Sequence, residues 1–250
     1  MSSPREELQN LAAVIVTGGS SGIGKSFIGT TAKLQPSLQF CNLSRRVPDI
    51  NLPELKLRHF ACDLARAEAI ERTAPQLVAH LNAVAPQGRV VLINNSGYGT
   101  YGRFPEPNLA EQLDMADVNM RAVLHLTGLL LPELKRRGGA IMNIASTAAF
   151  QPTPHLGTYG ATKAFGELLG RWFHDTYGME FLAVRIGHRF VDADNVGNRM
   201  VLGDIADDPA IKAVSVSRTA VCSRWAMSTV VRPRAATPIA AWTRASVRRS

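Results

Sequence analysis

Short apolar runs alternate with longer stretches of helical periodicity from residue 12 to about 186. Leu11-Ala-Ala-Val-Ile-Val reads as a buried strand, and Ile23, Phe27, Ile28 and Leu34 then follow the spacing of one helix face. Leu38–Leu43 and Leu57–Ala61 predict a second and third strand, 66–84 a helix, and Arg89–Ile93 a fourth strand. Val118–Leu131 predicts a helix stopped near Pro132, which brings a ring and no N–H to the next turn. Ala140–Ala145 predicts another strand, 158–177 a helix, and Phe181–Ile186 a strand after it. This alternation argues for an α/β fold, a parallel sheet covered on both faces. No internal repeat and no Ser/Gly-rich linker divides the region, so a single domain over 1–250 is expected, with its core at about 10–187. Beyond 188 the pattern weakens. Val191 to Asp208 is polar and predicts a loop or lid with a short helix, and Ser228-Thr-Val-Val predicts a last strand.

Composition narrows the class. Of 250 residues, 46% are hydrophobic and 19% charged, the balance of a chain able to bury a large core rather than of a disordered one. No apolar run reaches the ~18 residues a membrane span needs. Met1-Ser-Ser-Pro-Arg-Glu-Glu carries acids and no apolar signal core, so a cytoplasmic protein is expected. Cys41, Cys62 and Cys222 are odd in number and lack metal spacing, which excludes a disulfide scaffold and fits buried thiols in a reducing compartment. The six histidines do not cluster, and no metal site is expected. The net charge of +8 has one source. The last acid is Asp208, and eight bases follow it: Lys212, Arg218, Arg224, Arg232, Arg234, Arg244, Arg248 and Arg249. Removing these eight from 28 leaves 20 bases against 20 acids, so residues 1–208 are neutral overall. The tail lacks dense basic clusters with interleaved aromatics, so a nucleic-acid partner is not expected.

Chemistry first appears after the first strand, at Thr17-Gly18-Gly19-Ser20-Ser21-Gly22-Ile23-Gly24. Glycines suit a sharp turn and close approach by a pyrophosphate, and the following helix N-terminus offers unpaired N–H groups with a positive dipole end. A Gly-rich turn alone is also what a purely structural turn looks like. Its place between strand and helix favours phosphate binding. Other groups stand at strand ends. Ser44-Arg45-Arg46 closes the second strand, Asp63-Leu64 follows the third, and Asn94-Asn95-Ser96-Gly97 follows the fourth. Tyr159 and Lys163 are four residues apart, on one face of a helix. Isolated, that pair would read equally as a surface helix pair.

The T-G-x-x-x-G-x-G spacing, Asn94-Asn95-Ser96-Gly97, Asn119, Ser146 and Tyr159-Gly-Ala-Thr-Lys163 occur in the order and spacing of the short-chain dehydrogenase/reductase family, and the chain resembles its classical branch over roughly 10–187. The resemblance implies a Rossmann-type doubly wound parallel sheet in three α/β/α layers. It implies a nicotinamide dinucleotide held by Gly18, Ser20, Ser21, Gly22, Ile23, Gly24, Ser44, Arg45, Asp63, Leu64, Asn95, Ser96, Gly97, Tyr159, Lys163 and Gly187. No acid stands at the end of the second strand where NAD-specific members carry one, and Arg45 follows that position with Arg46 beside it. A guanidinium can grip a ribose 2′-phosphate, so NADP(H) is expected over NAD(H). A solvated arginine pair is the plainer alternative.

The implied catalytic set is Asn119, Ser146, Tyr159 and Lys163. A phenol with a pKa near 10 is a poor acid/base at neutrality, and an adjacent ammonium together with the oxidised nicotinamide's charge is expected to lower it. Ser146 and Tyr159 would hydrogen-bond the substrate oxygen, Tyr159 would exchange its proton, and Lys163, a water and Asn119 would replace it. The expected activity is hydride transfer between NADP(H) and a ketone, aldehyde or secondary alcohol. The helices near 119–131 and 158–177 commonly pair between subunits in this family, implying a homodimer or homotetramer. Two departures bear on this: Ile186 replaces the family's proline, and Ala193 stands where its carboxamide-binding threonine would align. Residues 188–250 therefore read as an atypical lid and basic C-terminal region. A non-catalytic dinucleotide sensor or degenerate paralogue is the alternative.

Overall fold

The computed structural model describes residues 10–104, 107–150 and 153–186, together with the backbone of two short strands at 199–200 and 230–231. The order is β1 (Leu11–Thr17), α1 (Gly22–Leu34), β2 (Gln39–Ser44), β3 (Lys56–Ala61), α2 (Ala67–Val84), β4 (Arg89–Asn94), β5 (Gly99–Thr100) and α3 (Leu109–Ala116). A five-residue π-helix, Asp117–Arg121, leads into α4 (Ala122–Arg136). Then come β6 (Ala140–Ser146), a 3₁₀ turn (Thr147–Ala149), α5 (Gly157–Tyr177), β7 (Glu180–Ile186), β8 (Arg199–Met200) and β9 (Val230–Val231).

The main sheet runs β3-β2-β1-β4-β6-β7-β9. The first six strands are parallel, and β9 pairs antiparallel with β7 through Ala183↔Val231 and Val184↔Val230. The chain winds from β1 outward to β3, then crosses back to β4 and outward to β7. This is the doubly wound order expected from the alternating pattern, and β9 falls in the predicted Ser228–Val231 strand.

Alternation along each strand makes the two apolar faces. On one, Ala13, Ile15, Leu43 and Leu92 pack with Leu77 and Leu81 of α2, Leu126 and Leu130 of α4, and Phe173 of α5. On the other, Val14, Val16, Phe40 and Ile93 pack with Ile23, Phe27 and Ile28 of α1. Strands buried on both sides are apolar at nearly every position, as Val90-Val-Leu-Ile in β4 is. Each fully buried leucine contributes about 1.5–3 kcal/mol.

The predicted stop at Pro132 is not observed: α4 continues to Arg136 with Pro132 inside it. The carbonyl that loses its donor belongs to Gly128, four residues earlier. Gly128 is exposed, and a Cβ there would meet nothing within 4 Å. That carbonyl stands at an exposed position open to solvent, and Pro132 is exposed as well. Pro75 lies inside α2 in the same way, opposite exposed Glu71. Helix α5 ends on Gly178 in the left-handed conformation (φ +64°), whose N–H bonds the His174 carbonyl at 2.8 Å.

Helix α5 approaches β7 through a missing side chain. A Cβ on Gly170 would stand 1.8 Å from the Phe181 ring. Gly170→Ala should therefore destabilise the fold by about 1–3 kcal/mol through overpacking, despite alanine's better helix propensity. Urea unfolding checks this, and an unchanged or raised midpoint would contradict it.

Candidate active site

The site grows from the C-terminal ends of β1 and β4, the two strands between which the winding reverses. Thr17 ends β1. Its Oγ1 accepts from the backbone N–H groups of Asn95 and Ser96, both at 3.0 Å, and Asn95 Nδ2 donates to the Thr17 carbonyl at 2.9 Å. These bonds join the two strand ends. The chain then turns through Gly18 (φ +71°) and Gly22 (φ +57°). A Cβ on Gly18 would lie 2.6 Å from Ser96 Oγ, so only glycine fits. Ser21 is the extended N-cap of α1 and makes no side-chain cap bond. The first turn of α1 thus brings N–H groups without intrahelical partners, and a positive dipole end, to the cleft.

That cleft has a volume of about 520 Å³. Of the residues expected to hold a dinucleotide, Gly18, Ser20, Ser21, Gly22, Ile23, Ser44, Arg45, Asp63, Leu64, Asn95, Ser96 and Gly97 line it. Gly24 does not line it. Its would-be Cβ lies 2.6 Å from the Gly18 carbonyl oxygen and from Asn95 Nδ2, so it serves close packing of α1 on the turn. Gly187, His188 and Ala193 lie outside the described residues. Ser44 Oγ is engaged locally, accepting from Asn42 Nδ2 at 2.8 Å and donating to the Arg46 carbonyl at 2.7 Å. Asp63 Oδ1 accepts from the Ala65 N–H at 3.1 Å.

The cleft also contains residues absent from the sequence-derived set: Arg46, Cys62, Ala65, Tyr98, Asp114 and Val118. Arg46 reaches Ser21 Oγ with its guanidinium at 3.3 Å, and Tyr98 donates from its hydroxyl to Asp114 Oδ2 at 2.6 Å. Adjacency to Arg45 was a signal for Arg46. Tyr98 directly follows Asn94-Asn95-Ser96-Gly97, a local signal, but no local pattern marks Asp114, which meets it only through the folding of α3 over the β4–β5 connection.

Asn119, Ser146, Tyr159 and Lys163 come together beside Gly97 and Gly99. Asn119 sits in the π-helix and is buried. It donates from Nδ2 to the Tyr98 carbonyl (2.9 Å) and Thr162 Oγ1 (3.0 Å), and accepts at Oδ1 from the Tyr98 N–H (3.2 Å). Its place in the widened turn of the π-helix leaves its side chain to bond the β4–β5 connection and α5. Lys163 Nζ donates to the Ile144 carbonyl of β6 at 2.9 Å. A Cβ on Gly97 would be 2.9 Å from Lys163 Nζ and 3.0 Å from Asn119 Oδ1, so a glycine is required between them. A Cβ on Gly99 would be 3.1 Å from the Tyr159 ring. Ser146 ends β6 and accepts from the Ala148 N–H at 3.2 Å, and its hydroxyl lies close enough to the Tyr159 phenol to lower that phenol's pKa.

Behind Lys163 lies a cavity of about 10 Å³ lined by Asn94, Asn119, Asn143 and Thr162 among others. Asn94 Nδ2 donates to Asn143 Oδ1 at 2.8 Å, while Asn94 Oδ1 is buried without a partner among the described residues. Such a space holds about one water.

The expected lowering of the Tyr159 pKa included the oxidised nicotinamide's charge, and the ligand-free site starts from the opposite side. Burial pushes the Tyr159 phenol above its ordinary value near 10, and the Ser146 hydrogen bond offsets this only in part. The ammonium does not reverse the sign: Lys163 Nζ points to the Ile144 carbonyl and stands 5.8 Å from the Tyr159 ring centroid. Lys163 is itself held down to about 8 by burial.

A family model described as short chain dehydrogenase matches residues 12–186. The chain belongs to the short-chain dehydrogenase family. Among its relatives, human 11-beta-hydroxysteroid dehydrogenase type 2 is 34% identical over 180 residues, covering 68% of this chain and 42% of that protein. Bovine very-long-chain 3-oxoacyl-CoA reductase is 31% identical over 171 residues, covering 65% and 54%. The chain spans about half the length of the first curated relatives it matches. An alcohol dehydrogenase from Thermococcus sibiricus complexed with 5-hydroxy-NADP superposes with a TM-score of 0.62 at 21% identity, covering 72% of this chain and 78% of that one. A short-chain dehydrogenase from Leptospira borgpetersenii with bound NAD+ gives 0.65 at 18% identity, covering 77% and 76%. The two likenesses establish the fold. Among the described residues of this short-chain dehydrogenase, no helix is long and apolar enough to cross a membrane.

The buried lysine predicts a pH dependence. Below about pH 8 both folded and unfolded chains carry the ammonium, and the full burial cost is present. Between about 8 and the ordinary value near 10.5 the unfolded chain binds the proton and the folded one does not, so this group's destabilisation shrinks as pH rises. Lys163→Met should stabilise the ligand-free protein by about 3 kcal/mol at pH 7, at 1.36 kcal/mol per unit. The gain should fall toward zero by about pH 10. Denaturant unfolding of both proteins across pH 7–10 measures this, and a pH-independent difference would contradict it.

Proposed function

We propose that this chain is an NADP(H)-dependent oxidoreductase acting on a ketone, aldehyde or secondary alcohol, in one catalytic domain. The observation that carries the reading is the convergence of Tyr159, Ser146, Lys163 and Asn119 at Gly97, itself a wall of the cleft that begins at the Gly18–Gly24 turn. A dinucleotide fits that cleft in kind. The crowded turn glycines leave room for close backbone approach, α1 offers N–H groups for a pyrophosphate, and Asp63 and Leu64 stand at the adenosine end. Arg45 and Arg46 favour a 2′-phosphate over a bare ribose. The cofactor choice rests on these two arginines, because structural neighbours carry either dinucleotide.

When bound, the nicotinamide supplies or accepts the hydride. The chain's own residues handle the substrate oxygen and its proton. Ser146 and Tyr159 donate hydrogen bonds to a carbonyl oxygen as it gains negative charge, and Tyr159 transfers its phenol proton to give the alcohol. Lys163 then favours the phenolate by its positive charge. A water in the cavity beside Asn94 and Asn119 is the proposed route by which the proton is replaced. In the opposite direction Tyr159 accepts the alcohol proton along the same path. The raised phenol is suited to being the proton donor, and a positive charge introduced nearby lowers it toward exchange near neutrality. Relatives named as a 3-oxoacyl-CoA reductase and a hydroxysteroid dehydrogenase support the substrate class. Exposed Leu124 and Leu129 on α4, with Leu168 and Trp172 on α5, support assembly into a dimer or tetramer.

Tyr159→Phe should lower kcat about 10²–10⁴-fold on any accepted carbonyl while leaving NADPH binding near the wild-type level. NADPH oxidation with a carbonyl panel, alongside fluorescence titration, tests this. NADPH binding without turnover, indifferent to Tyr159→Phe, would favour a dinucleotide sensor instead. Replacing Arg45 and Arg46 together with alanine should weaken NADPH binding about 10–100-fold and spare NADH. Equal losses for the two cofactors would refute the 2′-phosphate assignment.

A further inference from the structure

Asn42 is completely buried in β2, within the run Gln39-Phe-Cys-Asn-Leu-Ser, and the chemistry above does not use it. Its amide is bonded in three directions. Oδ1 accepts from the Gly19 N–H at 2.7 Å, and Nδ2 donates to Ser44 Oγ at 2.8 Å and to His59 Nδ1 at 2.9 Å. The Gly19 bond fixes the orientation of the amide, because a backbone N–H must meet the oxygen. The NH₂ group therefore faces His59, and two donors do not bond each other, so Nδ1 carries no hydrogen. The ring is then the Nε2–H tautomer. That N–H is buried and has no partner among the described residues. An unpaired buried donor is costly, and here it accompanies an acceptor turned toward Asn42.

The bonds run on toward the cleft. Ser44 Oγ, accepting from Asn42, donates its own hydrogen to the Arg46 carbonyl at 2.7 Å. The Arg46 guanidinium reaches back to Ser21 Oγ at 3.3 Å. Gly19, Asn42, Ser44, Arg46 and Ser21 thus close a ring that begins and ends on the phosphate-binding turn. Gly19 lies tight against it, since a Cβ there would stand 2.6 Å from Asn42 Oδ1.

We infer that Asn42 is a positioning residue for cofactor choice, setting the Arg45–Arg46 segment at a fixed place relative to the turn through this closed ring of hydrogen bonds. The inference rests on the NADP(H) reading above. The turn would meet the pyrophosphate of either dinucleotide, whereas the arginines would meet only a 2′-phosphate. Loosening the ring therefore weakens one cofactor selectively. The side chains of Arg45 and Arg46 are exposed, but the backbone that carries them is held by the Asn42–Ser44 bond and by the Ser44 bond to the Arg46 carbonyl, and a segment released from those bonds loses more entropy on meeting its target.

The test is a double-mutant cycle read by fluorescence titration with NADPH and NADH, independent of turnover. Asn42→Val should weaken NADPH binding about tenfold or more and NADH binding far less. With Arg46→Ala already in place, the same change should add little. If Asn42→Val does not fold, Ser44→Ala cuts the ring one bond further on, without touching the Gly19 contact, and carries the same expectation. Equal losses for both cofactors, or full additivity with Arg46→Ala, would overturn the positioning role. A wild-type preference for NADPH that survives both substitutions would also overturn it and leave the cofactor reading intact. A wild-type protein that binds both dinucleotides equally would instead overturn the cofactor reading on which it stands.

Discussion

The winding of the chain reverses between β1 and β4, and the gap this opens above their C-terminal ends is the constraint around which the polar residues are arranged. Strand ends there would expose backbone groups with no neighbour to pair with. Thr17 and Asn95 join the two ends to each other, and glycines take the positions where any side chain would collide. With those contacts made, the first turn of α1 is left with its N–H groups facing the cleft. The cleft follows from topology, while its chemistry follows from the few side chains placed on its rim.

A second constraint is the cost of burying charge. Lys163 is packed beneath Gly97 with one carbonyl partner, and burial holds it at about 8. Tyr159 is shifted in the opposite direction by the same cause. Burial acts against the charged form of each, so the ligand-free site is biased toward a neutral phenol and a weakened ammonium. An added positive charge would oppose the tyrosine's shift and deepen the lysine's, so the site's proton chemistry depends on what occupies it. The polar cavity beside Lys163, with the unpaired Asn94 oxygen, shares Ser96 with the cleft and is lined by Asn119 and Asn143 as well.

The strands were legible because burial on both faces demands unbroken apolar runs, and the cleft residues Gly18, Ser44, Asp63, Asn95 and Ser146 because each stands at or just after the end of such a run. Pro132 was misread for a physical reason. A proline rule assumes that the carbonyl four residues earlier has nowhere else to bond, but Gly128 is exposed and its carbonyl open to solvent. The ligand-free direction of the Tyr159 shift was not legible, since proximity in sequence to a lysine does not reveal how much solvent the phenol loses or where the ammonium points. Asn42 looked like an ordinary polar interruption of a strand. Its three partners come from residues 19, 44 and 59, on the turn, its own strand and the neighbouring strand.

The sequence by itself determined the order of strands and helices and the glycine turn, because each depends on local periodicity or on a residue type at an element's end; the identities of the four groups beside Gly97 were legible through their family order and spacing. Tertiary structure alone decided which of them share a pocket, how burial shifts Tyr159 and Lys163, and how Asn42 ties the arginine segment to the turn. Those properties depend on desolvation and on hydrogen bonds between distant segments, and neither exists until the sheet has brought the segments together and excluded water.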